Sequence, residues 1–155
     1  MRQTTLNFLL RDNEILLAMK KRSFGEGKWN GTGGKVQGDE SVEQAVIRET
    51  SEEIGVVIAE ADLEKVAILT FHWPSKPEWN QQCHVFVTRV WGNEPAESEE
   101  MRPQWFAYTD IPYDSMWPDD ILWLPLVLEG KHISADFTFS EGGEGFDSYE
   151  IREVV

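Results

Sequence analysis

Cysteine and histidine are scarce in this sequence: the chain has one cysteine, Cys83, and three histidines in 155 residues. A lone cysteine excludes an intrachain disulfide and a cysteine-based zinc site, and three scattered histidines do not form a zinc site either. No apolar run approaches the length of a membrane-spanning helix, and the apolar part of MRQTTLNFLLRDNE is too short for a signal peptide. These absences predict a soluble, cytoplasmic protein without a membrane partner.

Positive charge is also scarce, since 14 lysines and arginines stand against 28 acidic residues and leave a formal net charge of −14. A protein that coats a nucleic acid needs clustered cations to neutralise phosphates, so we expect no nucleic-acid partner. An anionic membrane surface is excluded on the same ground. A small phosphate-bearing ligand stays compatible with this charge, because metal ions can bridge acidic side chains to phosphate.

The apolar content is sufficient for one folded domain, with 41% hydrophobic residues that include seven Trp and eight Phe. We therefore expect a single, monomeric domain over residues 1–155. The apolar periodicity predicts strands over residues 4–11, 15–19, 66–73, 83–90, 104–109, 132–139 and 149–154, a short extended segment over 31–35, and helices over 41–53 and 119–128. Strands mixed with two helices indicate an α+β fold with a mixed sheet.

The first predicted helix gathers acidic side chains on one face. Because consecutive helical residues are ~100° apart, Glu49 and Glu53 are separated by about 40°, and Glu52 lies about 60° to the other side of Glu49. Arg48 forms an i,i+4 pair with Glu52, and Glu40 lies just before the helix. A hard divalent cation binds such carboxylates and keeps positions for water and phosphate. A solvated acidic helix face is the alternative explanation of the charges alone.

The spacing of the residues around this face favours the metal site. The order is Gly34, five residues, Glu40, seven residues, Arg48-Glu49, two residues, Glu52-Glu53, one residue and Gly55. This pattern resembles the Nudix box, and so many positions at their ordinary abundance make a chance match improbable. One position departs from the family, since Thr50 takes the place of a bulky apolar residue and changes the packing beneath the helix.

The resemblance to Nudix hydrolases implies a fold, a metal and a reaction. The fold is an α/β/α sandwich around a mixed β-sheet, the metal is Mg²⁺ with Mn²⁺ as a substitute, and the reaction is hydrolysis of a nucleoside diphosphate linked to another group. The residues carried over by position are the metal ligands Glu49, Glu52, Glu53 and the Gly34 carbonyl, with Arg48 orienting a carboxylate and Glu40 in a supporting place. For the general base we favour Glu53, with Glu100 as the second candidate.

The flanking segments resemble one group within the family. KKRSFGEGKWNGTGGKVQ, HVFVT, EEMRPQWF, MWPDDILWLPL and YEIREV are similar to the MutT-homologue oxidised purine nucleoside triphosphatases, over nearly the whole chain. A flat purine needs apolar walls and a few polar groups on its edge. The candidate walls are Phe24, Phe71, Trp73, Met101 and Trp117, and the candidate edge contacts are Asn30, Asp119 and Asp120. In the hypothesis that we favour, one Asp is protonated when the ligand is bound, and a change of which Asp holds the proton lets one pocket accept two oxidised bases.

Several of these residues have a second explanation. PDD is also an ordinary helix start with a capping Asp, and Trp123 fits either the core or the pocket wall. Lys20, Lys21 and Arg22 are better explained as a solvated basic turn than as triphosphate contacts. Gln81 stands where the group carries an apolar pocket residue, and WPSKPEWNQQ is longer than expected, so the base preference stays open.

The sequence as a whole predicts a Mg²⁺-dependent Nudix pyrophosphohydrolase. Its expected substrates are 8-oxo-dGTP and 2-hydroxy-dATP, which it converts to the monophosphate and pyrophosphate to sanitise the nucleotide pool. One rival is a Nudix enzyme that acts on ordinary or methylated purine triphosphates. The other is a Nudix-derived binding module without catalysis, against which the intact glutamate set argues.

Overall fold

The strands of this chain form one mixed sheet. The structure, a computed structural model, describes residues 1–141 and 145–154. Those residues contain β1 (Arg2–Arg11), β2 (Glu14–Lys20), β3 (Trp29–Asn30), α1 (Val42–Ile54), β4 (Leu63–His72), β5 (Gln81–Thr88), β6 (Met101–Ala107), α2 (Asp120–Leu128), β7 (Ile133–Phe139) and β8 (Phe146–Glu153). The sheet order is β3-β2-β1-β5-β4-β7-β8, and β6 also pairs with β2. The pairs β1–β5 and β4–β7 are parallel and the others antiparallel, which confirms the predicted α+β class with a mixed sheet.

Both faces of the sheet are apolar along β1, because successive strand side chains point to opposite faces. Phe8 and Leu10 pack with Trp123 of α2 in the larger core. Leu9, between them, packs with Ile54 of α1 in a second core. One helix therefore covers each face, as the α/β/α sandwich requires.

Helix α1 begins and ends within a residue of the prediction. The backbone N–H of Gln44 donates to the Ser41 hydroxyl at 3.0 Å, and the Ser41 N–H donates to the Gln44 side chain at 2.8 Å. This capping box satisfies two backbone donors that the first turn would otherwise leave without a partner. Gly55 ends the helix at φ 74°, in the left-handed region that glycine adopts without strain.

The segment over residues 31–35 is extended, as predicted, and it lies beside β1. Thr32 and Lys35 form isolated bridges with Asn7 and Thr4. The segment thereby passes between the centre of the sheet and α1, which places Gly34 next to the acidic helix.

Some predicted boundaries are wrong by a few residues. Strand β4 begins at Leu63 rather than at residue 66, because the backbones of Glu64 and Lys65 pair with β5 while their side chains stay exposed. Strands β6 and β8 likewise begin at Met101 and Phe146, earlier than the apolar pattern indicated. Neither helix of the described ranges is long and apolar enough to cross a membrane.

Candidate active site

Arg48 lies at the centre of the carboxylates near α1. Its Nε and Nη2 donate to the two carboxylate oxygens of Glu40 at 3.0 and 2.7 Å, and its Nη1 donates to Glu49 Oε1 at 2.9 Å. The predicted i,i+4 contact with Glu52 is present at 3.3 Å, and it is one of three ion pairs that Arg48 forms with carboxylates. The hydrogen bonds from Arg48 lower the pKa of Glu40 to about 2, so this carboxylate stays ionised and holds the guanidinium in place.

Glu53 is the most buried carboxylate of the predicted metal site, with 5% of its surface exposed. Its Oε1 accepts a hydrogen bond from the Gly33 N–H at 2.9 Å. Burial raises the pKa of Glu53 to about 8, the Gly33 N–H opposes this shift, and the charge of Glu49 adds to it. A carboxyl group with a raised pKa in a cleft is suited to exchange a proton near neutral pH.

Gly34 lies so close to the carboxylate of Glu49 that a side chain at position 34 would displace it. A Cβ built on Gly34 would lie 2.6 Å from both Cδ and Oε1 of Glu49. The Gly34 carbonyl accepts hydrogen bonds from the Thr5 N–H at 2.8 Å and from the Thr5 hydroxyl at 3.3 Å, so a metal ion at this oxygen would take the place of the longer bond. Glu49 is itself largely buried, and burial raises its pKa.

A cavity of about 890 Å³ opens beside these residues. Gly34 and Glu53 line it, whereas the other predicted metal ligands do not. All eight predicted base contacts line the same cavity: Phe24, Asn30, Phe71, Trp73, Met101, Trp117, Asp119 and Asp120. The fold therefore brings the predicted base pocket and part of the predicted metal site to one place.

The Asp pair is buried, with 4% of Asp119 and 3% of Asp120 exposed. Asp119 stands at the helix start but makes no side-chain capping bond, so the capping explanation of PDD is wrong. Its Oδ2 instead accepts the Trp123 indole N–H at 2.9 Å, while Asp120 Oδ2 has no partner among the described residues. Burial raises the pKa of Asp119 and, together with the charge of Asp119, raises that of Asp120 further.

Aromatic rings form the walls of the cavity. Phe24 stacks on Trp117 with ring centroids 5.3 Å apart, although 85% of its surface is exposed. Trp73 stacks on Phe139 at 4.6 Å. Trp123, whose sequence position fits either the core or the pocket wall, is fully buried in the core and also lines the cavity.

Comparison with known proteins agrees with this geometry. Residues 1–127 match the family described as NUDIX domain. The chain belongs to the Nudix family. It is 43% identical to oxidized purine nucleoside triphosphate hydrolases of Danio rerio and Mus musculus, and each match covers 97% of this chain and 94% of the relative. In fold it is similar to a MutT protein of Bacillus halodurans, with a TM-score of 0.83, 22% identity and 97% of each chain covered.

Nudix hydrolases generally use divalent metal ions, and the donor chemistry near α1 fits such an ion. Glu49, Glu52 and Glu53 offer the carboxylate oxygens that hard cations prefer, and the close approach of Gly34 adds a carbonyl. In residues 1–141 and 145–154, however, no three acidic, histidine or cysteine side chains point to one position. Arg48 Nη1 instead donates to both Glu49 and Glu52. Glu52 is 59% exposed and its contact is the longest, so it is the ligand with most room to turn.

Sequence reasoning missed several residues that line the cavity. Cys83 follows Gln81 by two positions on β5 and so shares its face, and burial raises the pKa of the Cys83 thiol to about 12. Trp79 lies in the long loop between β4 and β5 and also lines the cavity. The signal that could have identified it is a large aromatic residue in a loop, where packing in the core does not explain it. Phe139 comes from β7 and had no signal in the sequence.

Glu100, the second candidate base, does not line the cavity and pairs with Arg22 at 3.4 Å.

Proposed function

We propose that this chain hydrolyses oxidised purine nucleoside triphosphates, with 8-oxo-dGTP and 2-hydroxy-dATP as substrates, to the monophosphate and pyrophosphate. The observation that carries the proposal is the single cavity in which Glu53 and Gly34 meet the buried pair Asp119–Asp120 and the Trp117 ring. The two vertebrate relatives match over nearly their whole length, and the activity for which they are named supports the same substrate class. In the cell the reaction would remove damaged nucleotides before a polymerase uses them.

The metal in this proposal is Mg²⁺, with Mn²⁺ as a substitute, held by Glu49, Glu52, Glu53 and the Gly34 carbonyl. Such ions supply positive charge at the phosphate oxygens and make a water molecule more acidic. Glu53 accepts the proton of the attacking water, and Glu100 is the second candidate for this task. Arg48 keeps Glu49 and Glu52 oriented from the far side of the carboxylates.

The base and the triphosphate are bound by different side chains. Asn30 and the Asp pair contact the polar edge of the base, and Trp117 contacts its face. The cations that line the cavity are Arg2, Lys20, Lys28 and Lys35. None of these four forms an ion pair with a described residue, so they stay available to the phosphates. Lys21 and Arg22 by contrast pair with acidic residues after β5, as expected of a basic surface turn. Lys20, which the sequence assigned to the same turn, instead ends β2 and lines the cavity.

The test is a panel of nucleoside triphosphates with Mg²⁺, scored by pyrophosphate release. We expect 8-oxo-dGTP to be turned over with a kcat/KM well above that of dGTP, and Glu53→Gln to lower kcat by about 10²–10⁴-fold. Glu43→Gln, the same change in the first turn of the same helix, is the matched control and keeps full activity.

Three outcomes would contradict the proposal. Absence of turnover with every nucleotide would favour a binding module. Equal turnover of dGTP and 8-oxo-dGTP, or a preference for a methylated purine, would retain the Nudix chemistry and reject the oxidised-purine substrate. The polar Gln81 in the cavity lining makes the methylated and ordinary purines necessary members of the panel.

We further propose that residues 1–155 act as one monomeric, cytoplasmic domain without a nucleic-acid or membrane partner. The single continuous sheet and the net charge of −14 support this. Size-exclusion chromatography with light scattering should give the mass of one chain, and a dimer mass would contradict the proposal.

A further inference from the structure

Thr50 is a buried hydroxyl in the middle of the acidic helix. Its side chain is 0% exposed, and its Oγ1 lies 2.8 Å from Oγ1 of Thr32 in the segment before the helix. Both hydroxyls are removed from water, so their mutual hydrogen bond replaces solvent contacts that they lost on folding. Thr50 lies between Glu49 and Glu53, and Thr32 precedes Gly33 and Gly34.

Two neighbouring residues of that segment therefore hold one turn of α1. Thr32 contacts the helix at Thr50, and the Gly33 N–H donates to Glu53 Oε1 at 2.9 Å, three residues further along. One contact alone would let the helix rotate or slide relative to the segment. Two contacts at i and i+3 restrict both movements, because these positions lie on one face of the helix.

The segment is itself attached to the centre of the sheet. Thr32 and Asn7 exchange two backbone hydrogen bonds of 2.9 and 2.6 Å. The Asn7 side chain in turn accepts the Thr88 hydroxyl of β5 at 3.0 Å. A continuous set of buried polar contacts thus runs from β5 through β1 to Thr50 on α1.

This set of buried polar side chains costs free energy of folding, because one of its hydrogen-bond donors has no acceptor among the described residues. Asn7 is 2% exposed, and its Nδ2 has no partner among the described residues. A partly satisfied buried network is less favourable than a well-packed apolar one, and in some proteins such a network selects one geometry rather than adding stability. The benefit of the Thr32–Thr50 bond is therefore better sought in the position of the helix.

We propose that Thr50 is a positioning residue, which through Thr32 holds α1 in the rotation that keeps Glu49 and Glu53 next to Gly34. The role rests on the proposed function, since it assumes that these groups bind a divalent ion. Thr50 touches neither the ion nor the substrate, and it acts only through the placement of the helix.

The experiment compares Thr50→Val, which keeps the shape and loses the hydroxyl, with Thr50→Ser, which keeps the hydroxyl. Mn²⁺ binding to the full chain without nucleotide is measured by calorimetry, and Mn²⁺ dependence of turnover is measured separately. We expect Thr50→Val to weaken Mn²⁺ binding about tenfold, as when residues that orient metal ligands are lost. Thr50→Ser should stay within about threefold of the wild-type constant under the same reasoning. The nucleotide KM at saturating metal should not change, because Thr50 does not line the cavity.

Thr88→Val is the matched control, since it removes a fully buried hydroxyl of the same polar set on the side away from the helix. It should lower thermal stability and leave Mn²⁺ binding unchanged. Thr32→Val breaks the same bond from the other side, and it should weaken Mn²⁺ binding without a further loss in the double variant with Thr50→Val.

Wild-type Mn²⁺ affinity in both Thr50→Val and Thr32→Val would overturn the positioning role, even if both variants melt at lower temperature. In that case the proposed function would stand, because the wild-type chain would still bind metal and turn over nucleotide. A wild-type chain that binds no Mn²⁺ would overturn the metal site and the positioning role together.

Discussion

One guanidinium organises the acidic groups of the candidate site. Arg48 contacts both carboxylate oxygens of Glu40, one of Glu49 and both of Glu52. Its own side chain is 25% exposed. A planar fork with several fixed donors is needed to hold three carboxylates at different angles. A lysine at this position carries the same charge but forms only a single point contact.

We therefore expect Arg48→Lys to lower kcat about 10–100-fold, as the loss of an orienting partner does at metal sites. The nucleotide KM should change little, because Arg48 does not line the cavity. Steady-state kinetics at saturating Mg²⁺ provides the measurement, and Arg11→Lys, an exposed arginine that pairs with Glu14, is the control. Unchanged kcat in Arg48→Lys would show that charge alone suffices.

The buried pair Asp119–Asp120 is the second feature of the site that depends on individual side chains. The two carboxyl groups are not equivalent, because the Trp123 indole donates to Asp119 Oδ2 at 2.9 Å and the pKa of Asp120 is raised further than that of Asp119. An Asn at either position fixes the pattern of donors and acceptors that the Asp pair can change by moving a proton.

Asp119→Asn and Asp120→Asn should each shift the ratio of 8-oxo-dGTP to 2-hydroxy-dATP turnover by about tenfold or more, the effect of one hydrogen bond to a charged group. The ratio of kcat/KM values for the two substrates is the readout, since a general loss of folded enzyme cancels in it. Ratios equal to the wild-type value in both variants would reject the proton-exchange hypothesis.

At the scale of the element, α1 is specified at both ends by its own sequence. The capping box of Ser41 and Gln44 begins it, and the left-handed Gly55 ends it. These signals are local, and for this reason the sequence located the helix within one residue.

Ser41→Ala should lower the free energy of unfolding by about 1 kcal/mol, because the hydroxyl acceptor of the Gln44 N–H is lost. Turnover of the folded enzyme should stay unchanged, since the cap lies two turns before the glutamates. Urea denaturation gives the free energy, and Ser51→Ala, an exposed serine inside the same helix, is the control that should not destabilise. Equal stability of Ser41→Ala and wild type would contradict the role of the cap.

At the scale of the whole molecule, a buried histidine connects β1, β4 and β5. His84 is 7% exposed; its Nε2 lies 2.6 Å from the side-chain amide oxygen of Gln3 and its Nδ1 lies 2.8 Å from Lys65 Nζ. Burial and the charge of Lys65 lower the pKa of His84 below its ordinary 6.5, while Glu43 on α1 opposes this shift. The folded protein therefore holds His84 neutral.

Unfolding releases His84 to its ordinary pKa, so below pH 6.5 the unfolded chain binds a proton that the folded chain does not. The contribution of His84 is fully present above that pH and falls below it, by at most about 1.4 kcal/mol per pH unit. Melting temperatures of wild type and His84→Gln between pH 5 and pH 7 should show a weaker acid dependence in the variant. His132→Gln, at an exposed site, should keep the wild-type slope, and identical slopes in all three proteins would contradict this account.

The sequence by itself determined the features that depend on local geometry. The helix period put Glu49, Glu52 and Glu53 on one face, and the helical pattern located α1 within one residue. The spacing from Gly34 to Gly55 indicated the family. The candidate base contacts could be named in advance because a family resemblance already contains information about a shared tertiary structure.

Only the tertiary structure decided which distant groups meet. Arg48 reaches Glu40 because the segment before α1 folds back along it, and Trp79 and Phe139 reach the cavity because β4, β5 and β7 lie side by side. It also turned Thr50 from an irregular position in a family pattern into one half of a bond with Thr32. Periodicity specifies the face on which a side chain lies, whereas its partner across the fold depends on the path of the whole chain.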